Sequence, residues 1–462
     1  MALGKRKHEQ QTVWVATTEL PRSPGHPFYK KLNSLLAEAG FDAWLEALCG
    51  PYYAAKMGRE SIPPGVYFRM ILIGYFEGIG SQRGIAWRCS DSRSLAEFLG
   101  IAVHEETPDH SSLTRIHQRL PLKVHEQVFA FVLEVAAEKK LLCGKTVAVD
   151  STMLEADAAM KSIVRKETGE DWKEYVVRLM REEGALEDNE QPSDEEIRRY
   201  DKKRKNKRVS NDEWSSPRDP DSRIARMKDG TTHLAYKAEH VVDLESELVL
   251  AAEIRPADHA DTDTLVDSVM QAQENLQAAG SEAQIEEAVA DKGYHAAQTL
   301  ELCASLGLRT YIPEPKRNAP WNWSQRPAAE RAAVLGNRRR VRGARSKKLQ
   351  RLRSELVERT FAHVCETGGA RRCWLHGLLK VAKRYLLQVA ARNLGLIMRK
   401  LFGMGTPRGL QKEADVAASS QLLIAAAWCV VCVVQIAIGA LTPLGAWAAH
   451  RILHRLALTL TT

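Results

Sequence analysis

Between residues 145 and 398, short β-rich runs and helical periodicities follow one another in an order that few architectures accommodate. KTVAVD (145–150) predicts a strand, bounded upstream by Gly144. A long charged insertion, about 156–230, follows; its SIVRKETGEDWKEYVVRLM portion predicts helix and its later part is polar. EHVVDL (239–244) and ELVLAAEI (247–254) then predict two strands joined by a tight turn. A helix is expected over 262–279, capped upstream by Asp261 and closed by Gly280. EAVAD (287–291) predicts a strand, 296–306 a helix ended by Gly307, and LRTYIP another strand. A basic, Trp-containing loop leads to a helix around 349–364, and an amphipathic stretch covers 375–398. The hairpin is antiparallel, while helical crossovers force parallel neighbours. The expected product is an α/β domain, a mixed five-stranded sheet with helices on its faces.

That succession matches a ribonuclease-H-like arrangement, in which the first and fourth strands lie side by side. An all-α region precedes it. Repeated apolar positions in FYKKLNSLLAEAGFDAWLEAL and VYFRMILIGYFEG, punctuated by Gly50-Pro51 and Pro63-Pro64-Gly65, predict helices over 27–140. Thr107-Pro108-Asp109 opens one of them, and its Arg115, His117 and Arg119 fit either a helix-turn-helix or a plain bundle with solvated basic residues. Single cores stop growing near ~250–300 residues, so 462 residues imply two or three domains. We expect a helical domain at 20–140, an α/β domain at 141–405 that includes the insertion, and a tail at 406–462.

Composition narrows the function classes. With 44% hydrophobic and 27% charged residues the chain is ordinary globular material, neither disordered, collagen-like nor polytopic. Its formal net charge of +8 suits a polyanionic partner, though the excess is small for this length. Eight cysteines without regular spacing argue for a reducing compartment rather than a disulfide framework. MALGKRKHEQQTVW carries no apolar stretch behind its basic residues and is not read as a secretory signal. Residues 422–441 are almost wholly apolar, interrupted by Gln435, and meet the length of a membrane span. Basic residues flank both sides, so a buried or subunit-packing helix is the preferred reading and membrane association is not favoured. Cys429 and Cys432 fall inside this run without the second ligand pair that zinc requires.

The strand order gives the acids their meaning. Asp150 ends the first strand and Asp291 the fourth; parallel neighbours would bring both carboxylates to one edge of the sheet. Two anions held that close repel unless cations lie between them. Mg²⁺ is typically held by one or two carboxylates plus phosphate oxygens. Glu358, on the helix after the fifth strand, is positioned to complete the cluster, with Glu355 one turn earlier as its rival. Taken singly, each acid also reads as a cap or a solvated helix residue. Asp261 reads as a cap, and Asp243, Asp258 and Asp263 as loop residues.

Several longer segments carry a specific likeness. PRSPGHPFYKKLN, SIPPGVYFRMILIGYFEGI, RGIAWRCSDS, TPDHSSLTRIHQRLP, VAVDSTMLEADAAMKSIVRKETGE, THLAYKAEHVVD, VADKGYH and ELVERTFAHVCETGGARR occur in order between about 20 and 410. Together they resemble bacterial insertion-sequence transposases of the DDE class. The resemblance implies a helical transposase domain followed by a ribonuclease-H-like catalytic domain. It also implies that Asp150, Asp291 and Glu358 form a triad holding two Mg²⁺ ions, with Mn²⁺ as a substitute. The chain departs from the Tyr-Arg-Glu-Lys signature of many such enzymes, with Ser354 four positions before Glu358 and Cys365 seven after it. The tail from about 411 lies outside the likeness.

Basic clusters lie where such an enzyme would need them. One is KKRKNKR (202–208); the other, NRRRVRGARSKKLQRLR (337–353), leads into the helix bearing Glu358. Phosphate contacts are expected from Arg338, Arg339, Arg340, Arg342, Arg345, Lys347, Lys348 and Arg353. Lys292 and Tyr294, just after Asp291, read as phosphate contacts or as turn formers. Trp321 and Trp323 fit ordinary packing better than stacking on an unpaired base. The expected partners are double-stranded DNA, as the element's terminal inverted repeats and as target, and a second copy of the chain in the active complex. Such work belongs in the cytoplasm, at the nucleoid.

Overall fold

The computed structural model describes residues 23–54, 61–187, 189–204, 209–227, 229–316 and 321–408. The apolar run at 422–441 and the second half of KKRKNKR lie outside the described residues. Among the described residues no helix is long and apolar enough to cross a membrane. The six cysteines described are all free thiols. The described residues up to Gly405 belong to one compact unit, which includes both the helical region and the sheet.

Seven helices come first: α1 (Pro27–Glu38), α2 (Phe41–Cys49), α3 (Pro64–Glu77), α4 (Gln82–Ser90), α5 (Arg93–Phe98), α6 (His110–Arg119) and α7 (Leu122–Glu138). Their boundaries follow local chemistry. Pro27 and Pro64 open α1 and α3, Ser81 and Ser92 cap α4 and α5 with their hydroxyls, and Gly78 ends α3 in the left-handed region. Buried Arg69 ties the first helices together: its guanidinium reaches Asp42 at 2.7 Å, Asn33 Oδ1 at 2.7 Å and the Phe98 carbonyl at 3.2 Å. In α6, Arg115 and Arg119 are exposed, but His117 is buried beside the Tyr67 hydroxyl at 3.4 Å. His117 therefore belongs to the core and not to a DNA-facing surface.

The rest alternates as expected, with additions: β1 (Thr146–Glu155), β2 (Val164–Arg165), α8 (Trp172–Glu182), α9 (Asp194–Lys203), β3 (Trp214–Ser215), β4 (Arg223–Arg226), β5 (Thr232–Asp243), β6 (Val249–Pro256), α10 (Asp261–Ala278), β7 (Glu287–Val289), α11 (Ala297–Ser305), β8 (Arg309–Tyr311), α12 (Ala328–Val341), α13 (Ala344–Phe361) and α14 (Leu378–Phe402). The main sheet runs β4-β5-β1-β7-β8, with β6 also paired to β5. The fold is mixed α/β and ribonuclease-H-like: β1 lies antiparallel to β5 and parallel to β7, and β7 lies parallel to β8. A sixth strand joins the five expected, because β4, out of the insertion, pairs with the first residues of β5 at 232–235. The insertion's own small core is Val176, Met180 and Ile197, under helices α8 and α9 that both begin with capping boxes.

Three local expectations are corrected. Helix starts within SIVRKETGEDWKEYVVRLM only at Trp172; Val164 and Arg165 form a strand instead. The basic run at 337–353 is not a loop; it spans the end of α12 and the start of α13, with Gly343 between them. Asp261 is the first residue of α10 rather than its cap, and Ala260 occupies the cap without a side-chain bond. Helix α14 is buried almost all round, as a helix at the centre of a core must be.

Candidate active site

The parallel ladder of β1 and β7 ends two residues short of the first two acids. Thr146 stands opposite Glu287, Val147 opposite Ala288 and Ala148 opposite Val289. Two steps further along both chains are Asp150 and Asp291; Asp291 follows the end of β7, but Asp150 does not end its strand as expected, because β1 continues to Glu155 in its pairing with β5. On its other side Asp150 stands opposite His240 of β5.

Asp150 is held from two directions. Its Oδ1 accepts from the Ser151 amide at 2.8 Å, and its Oδ2 receives Arg353 Nη1 at 2.5 Å. Arg353 reaches it from α13 and donates Nε to Gln350 Oε1 at 3.1 Å. Gln350 in turn donates to the carbonyls of Ala290 at 3.0 Å and Tyr311 at 2.6 Å. One turn of α13 is thereby stapled to the ends of β7 and β8 and to the middle of β1.

Asp291 begins a short turn. Its Oδ1 accepts from the Gly293 amide at 2.7 Å, and the Tyr294 amide reaches its carbonyl at 3.3 Å. A Cβ on Gly293 would lie 2.8 Å from Asp261 Oδ2 and 2.9 Å from Asp291 Oδ1, so a side chain there would displace one of the two carboxylates. Asp261 pairs with the buried ammonium of Lys237 and accepts from Ser151 Oγ at 3.1 Å. That ion pair is what the residue makes in place of a cap.

A second set of polar groups lies beneath this turn. Glu239, 1% exposed, accepts from Tyr294 at 2.7 Å, from Thr264 Oγ1 at 2.8 Å and from the Ser268 hydroxyl. Burial, with the charges of Glu239 and Asp261, pushes the Tyr294 phenol well above its ordinary range, so it keeps its proton and donates. Tyr294 is wholly buried, which removes it from the expected phosphate contacts. Asp243 is structural too. Buried, it accepts from the Gly144 amide at 3.0 Å and from Ser246 Oγ at 2.5 Å, closing the β5–β6 turn against the start of β1. His240 lies between Thr360 Oγ1 at 2.9 Å and the Tyr385 hydroxyl at 2.8 Å. Burial pushes its imidazole down to about 3, with the Arg392 charge adding to the effect.

The third acid is not gathered with the others. Glu358 is exposed on α13, and among the described residues it has no hydrogen-bond or ion-pair partner. It lies about 100° around the helix from buried Val357. Its rival Glu355 is already neutralised, bound to Arg359 at 2.6 Å, which also reaches Glu247 at 3.1 Å. Among the described residues no three His, Cys, Asp or Glu side chains converge on a metal position. The chemistry of Asp150 and Asp291 does suit a hard cation: both donors are carboxylate oxygens, each two residues past the β1–β7 ladder, and a positive charge, that of Arg353, already rests on Asp150.

The basic cluster divides in two. Arg338 is committed to Glu314 at 3.0 Å, Arg340 to the Thr310 carbonyl at 2.9 Å, Arg345 to Glu287 at 2.5 Å and Arg353 to Asp150. Arg339, Arg342, Lys347 and Lys348 are exposed around the α12–α13 corner, as is Lys292 beside Asp291. Trp321 and Trp323 stack on each other at 4.8 Å, with Trp321 donating to Glu314 at 2.5 Å, which is the packing role. Sequence reasoning missed Gln350, Glu239 and Lys237. The signal for the last two was present in YKAEHVVD, where polar residues alternate on one face of an otherwise apolar strand.

The family comparisons bear on the same elements. A transposase domain model (DUF772) matches residues 19–119. A transposase DDE domain model matches residues 143–394, from just before β1 into α14. No curated protein and no solved structure matches the chain.

Proposed function

The chain belongs to the DDE transposase family, an enzyme family that acts on DNA in the movement of mobile elements, and from that premise we propose that it cuts and joins strands at the ends of an insertion sequence. The observation that supports the reading is the parallel β1–β7 ladder, which ends two residues before Asp150 on one strand and Asp291 on the other. In this reading Asp150 and Asp291 hold Mg²⁺, or Mn²⁺ in its place, with Glu358 brought in from α13 as the third acid. Two such ions supply activation of the attacking oxygen and stabilisation of the leaving one.

The chain's own residues do the rest. Arg339, Arg342, Lys347, Lys348 and Lys292 bind backbone phosphates and lay the duplex across the strand ends. Gln350 keeps α13, the helix that carries Glu358, attached beside the residue before Asp291. Hydrolysis at the element's ends frees a 3′-hydroxyl. That hydroxyl attacks a target phosphodiester in line; one P–O bond forms, the bond to the target's 3′-oxygen breaks, and the proton the attacking oxygen gives up to solvent is matched by one that the departing 3′-oxygen takes from it. No covalent protein–DNA intermediate is needed. The helical segment at 20–140 serves DNA binding and assembly, and pairing of two element ends calls for a homodimer or larger complex, working at the nucleoid.

The test is strand cleavage of end-containing DNA in Mg²⁺ with a labelled 3′-hydroxyl donor. Wild type should cleave and join, and Asp291→Asn should do neither. Near-normal cleavage by Asp291→Asn would remove the acid assignment. Cleavage without joining by wild type would make the protein a nuclease of the same fold.

A further inference from the structure

We propose that Glu239 and Tyr294 are a positioning pair for Asp291, holding the turn on which that acid is carried. This rests on the reading of Asp291 as a metal-holding residue.

Asp291 lies just beyond β7, a strand of only three residues, so the ladder ends before the acid is reached. Three bonds then define its position. The Asp291 side chain takes the Gly293 amide, the Asp291 carbonyl takes the Tyr294 amide, and the Tyr294 hydroxyl reaches Glu239. The first two are internal to the turn and would travel with it. The third fastens the turn to the middle of β5.

Glu239 is well placed to anchor it. It lies in the middle of β5, opposite Ser151, the residue next to Asp150 on β1. Its carboxylate is buried, yet among the described residues no arginine or lysine pairs with it. It is satisfied instead by three hydroxyls, of Tyr294, Thr264 and Ser268. Hydrogen bonds to a charged acceptor are roughly twice as strong as neutral ones. Thr264 and Ser268 are one turn apart on α10, so the same carboxylate also fixes the helix whose first residue, Asp261, presses on Gly293. Asp261, Gly293, Tyr294 and Glu239 thus surround Asp291. Groups that orient a metal-holding residue in this way typically cost 10–100-fold in metal affinity or activity when removed.

The experiment uses the full-length chain and Mn²⁺ as probe, read by the loss of the free-ion paramagnetic resonance signal. Tyr294→Phe keeps the ring in its pocket and removes the hydroxyl alone. Mn²⁺ affinity and cleavage kcat should each fall about 10–100-fold, with KM for end DNA unchanged. Glu239→Gln, of the same volume, should show the same split with a smaller loss, and it carries the test should Tyr294→Phe not fold. Folded variants with wild-type Mn²⁺ affinity and kcat would overturn the proposal, as would losses confined to KM. Asp291→Asn separates the two readings. A wild type that takes up no Mn²⁺, or an active Asp291→Asn, defeats the metal reading and this one with it. An inactive Asp291→Asn beside a wild-type-like Tyr294→Phe defeats the positioning role alone.

Discussion

The guanidinium of Arg353 lies 2.5 Å from the carboxylate of Asp150, so the acid on the first strand already has a cation resting on it. Both side chains are mostly shielded, 15% and 24% exposed, so the pair is stronger than a surface salt bridge and yet open enough to exchange. A divalent ion entering beside Asp150 competes with that guanidinium. Arg353→Gln should therefore lower the melting temperature of the metal-free protein, by a loss of about 1 kcal/mol. The same variant should gain more from added Mn²⁺ than wild type does, since ligand stabilisation grows with affinity. Thermal unfolding with and without Mn²⁺ measures both effects; an equal Mn²⁺ shift in the two proteins would show that Arg353 does not compete.

The division of the basic cluster predicts two kinds of loss. Replacing Arg339, Arg342, Lys347 and Lys348 by alanine removes exposed cations without breaking an ion pair among the described residues. Binding to duplex DNA should weaken, and the slope of log K against log salt should flatten by up to about 0.9 for each phosphate no longer neutralised. Arg338→Ala instead strips the partner from Glu314, and should lower stability with little change in that slope. Anisotropy titrations across a salt series distinguish them, and an unchanged slope in the quadruple variant would remove this corner from the DNA path.

Much of this arrangement is legible in the sequence. VAVD and EAVAD are apolar runs that each stop at an acid, and the order of elements between them predicts the parallel pairing of β1 with β7 that is observed. What stays hidden is set by distant partners. Asp261 looks like a cap because it precedes a helix, and only the buried ammonium of Lys237, far away in the chain, gives it another role. NRRRVRG reads as a solvated run, since α12 buries few side chains, among them Ala333, Val334 and Asn337. Strand β4 is polar and short, and it exists because β5 extends beyond the pairing with β6. Glu239 follows the same logic: a charged residue inside a strand suggests an exposed face until the three hydroxyls are seen.

Stability should fall on the acid side for a definable reason. His240 and His117 are held down to about 3 and His125 to about 4, in each case first by burial. In the unfolded chain these imidazoles take up protons near pH 6.5. The unfolded state therefore binds more protons than the folded one in the window from about 6.5 down to 3–4. Stability is complete above that window and drains as pH falls through it, by up to about 1.4 kcal/mol per pH unit for each histidine. Urea unfolding at pH 7.5 and pH 5 should show the loss. His240→Gln, which can still bond Thr360 and Tyr385, should flatten the dependence by about one proton, and an unaltered slope would mean that His240 is already protonated in the folded protein.

Gly293 gives the sharpest local prediction. A methyl group there meets the carboxylates of Asp261 and Asp291 at 2.8 and 2.9 Å, closer than ordinary contact permits. Asp261 cannot yield freely, because Lys237 and Ser151 hold it. The displacement must therefore fall on Asp291, whose turn is exposed at Lys292 and Gly293. Gly293→Ala should leave the melting temperature within a few degrees of wild type, since the strain is local and about 1–3 kcal/mol. Cleavage in Mg²⁺ should fall by at least tenfold, while DNA affinity measured without metal stays the same. Were Gly293→Ala to cleave at the wild-type rate, the position of the Asp291 carboxylate would not be what limits the reaction.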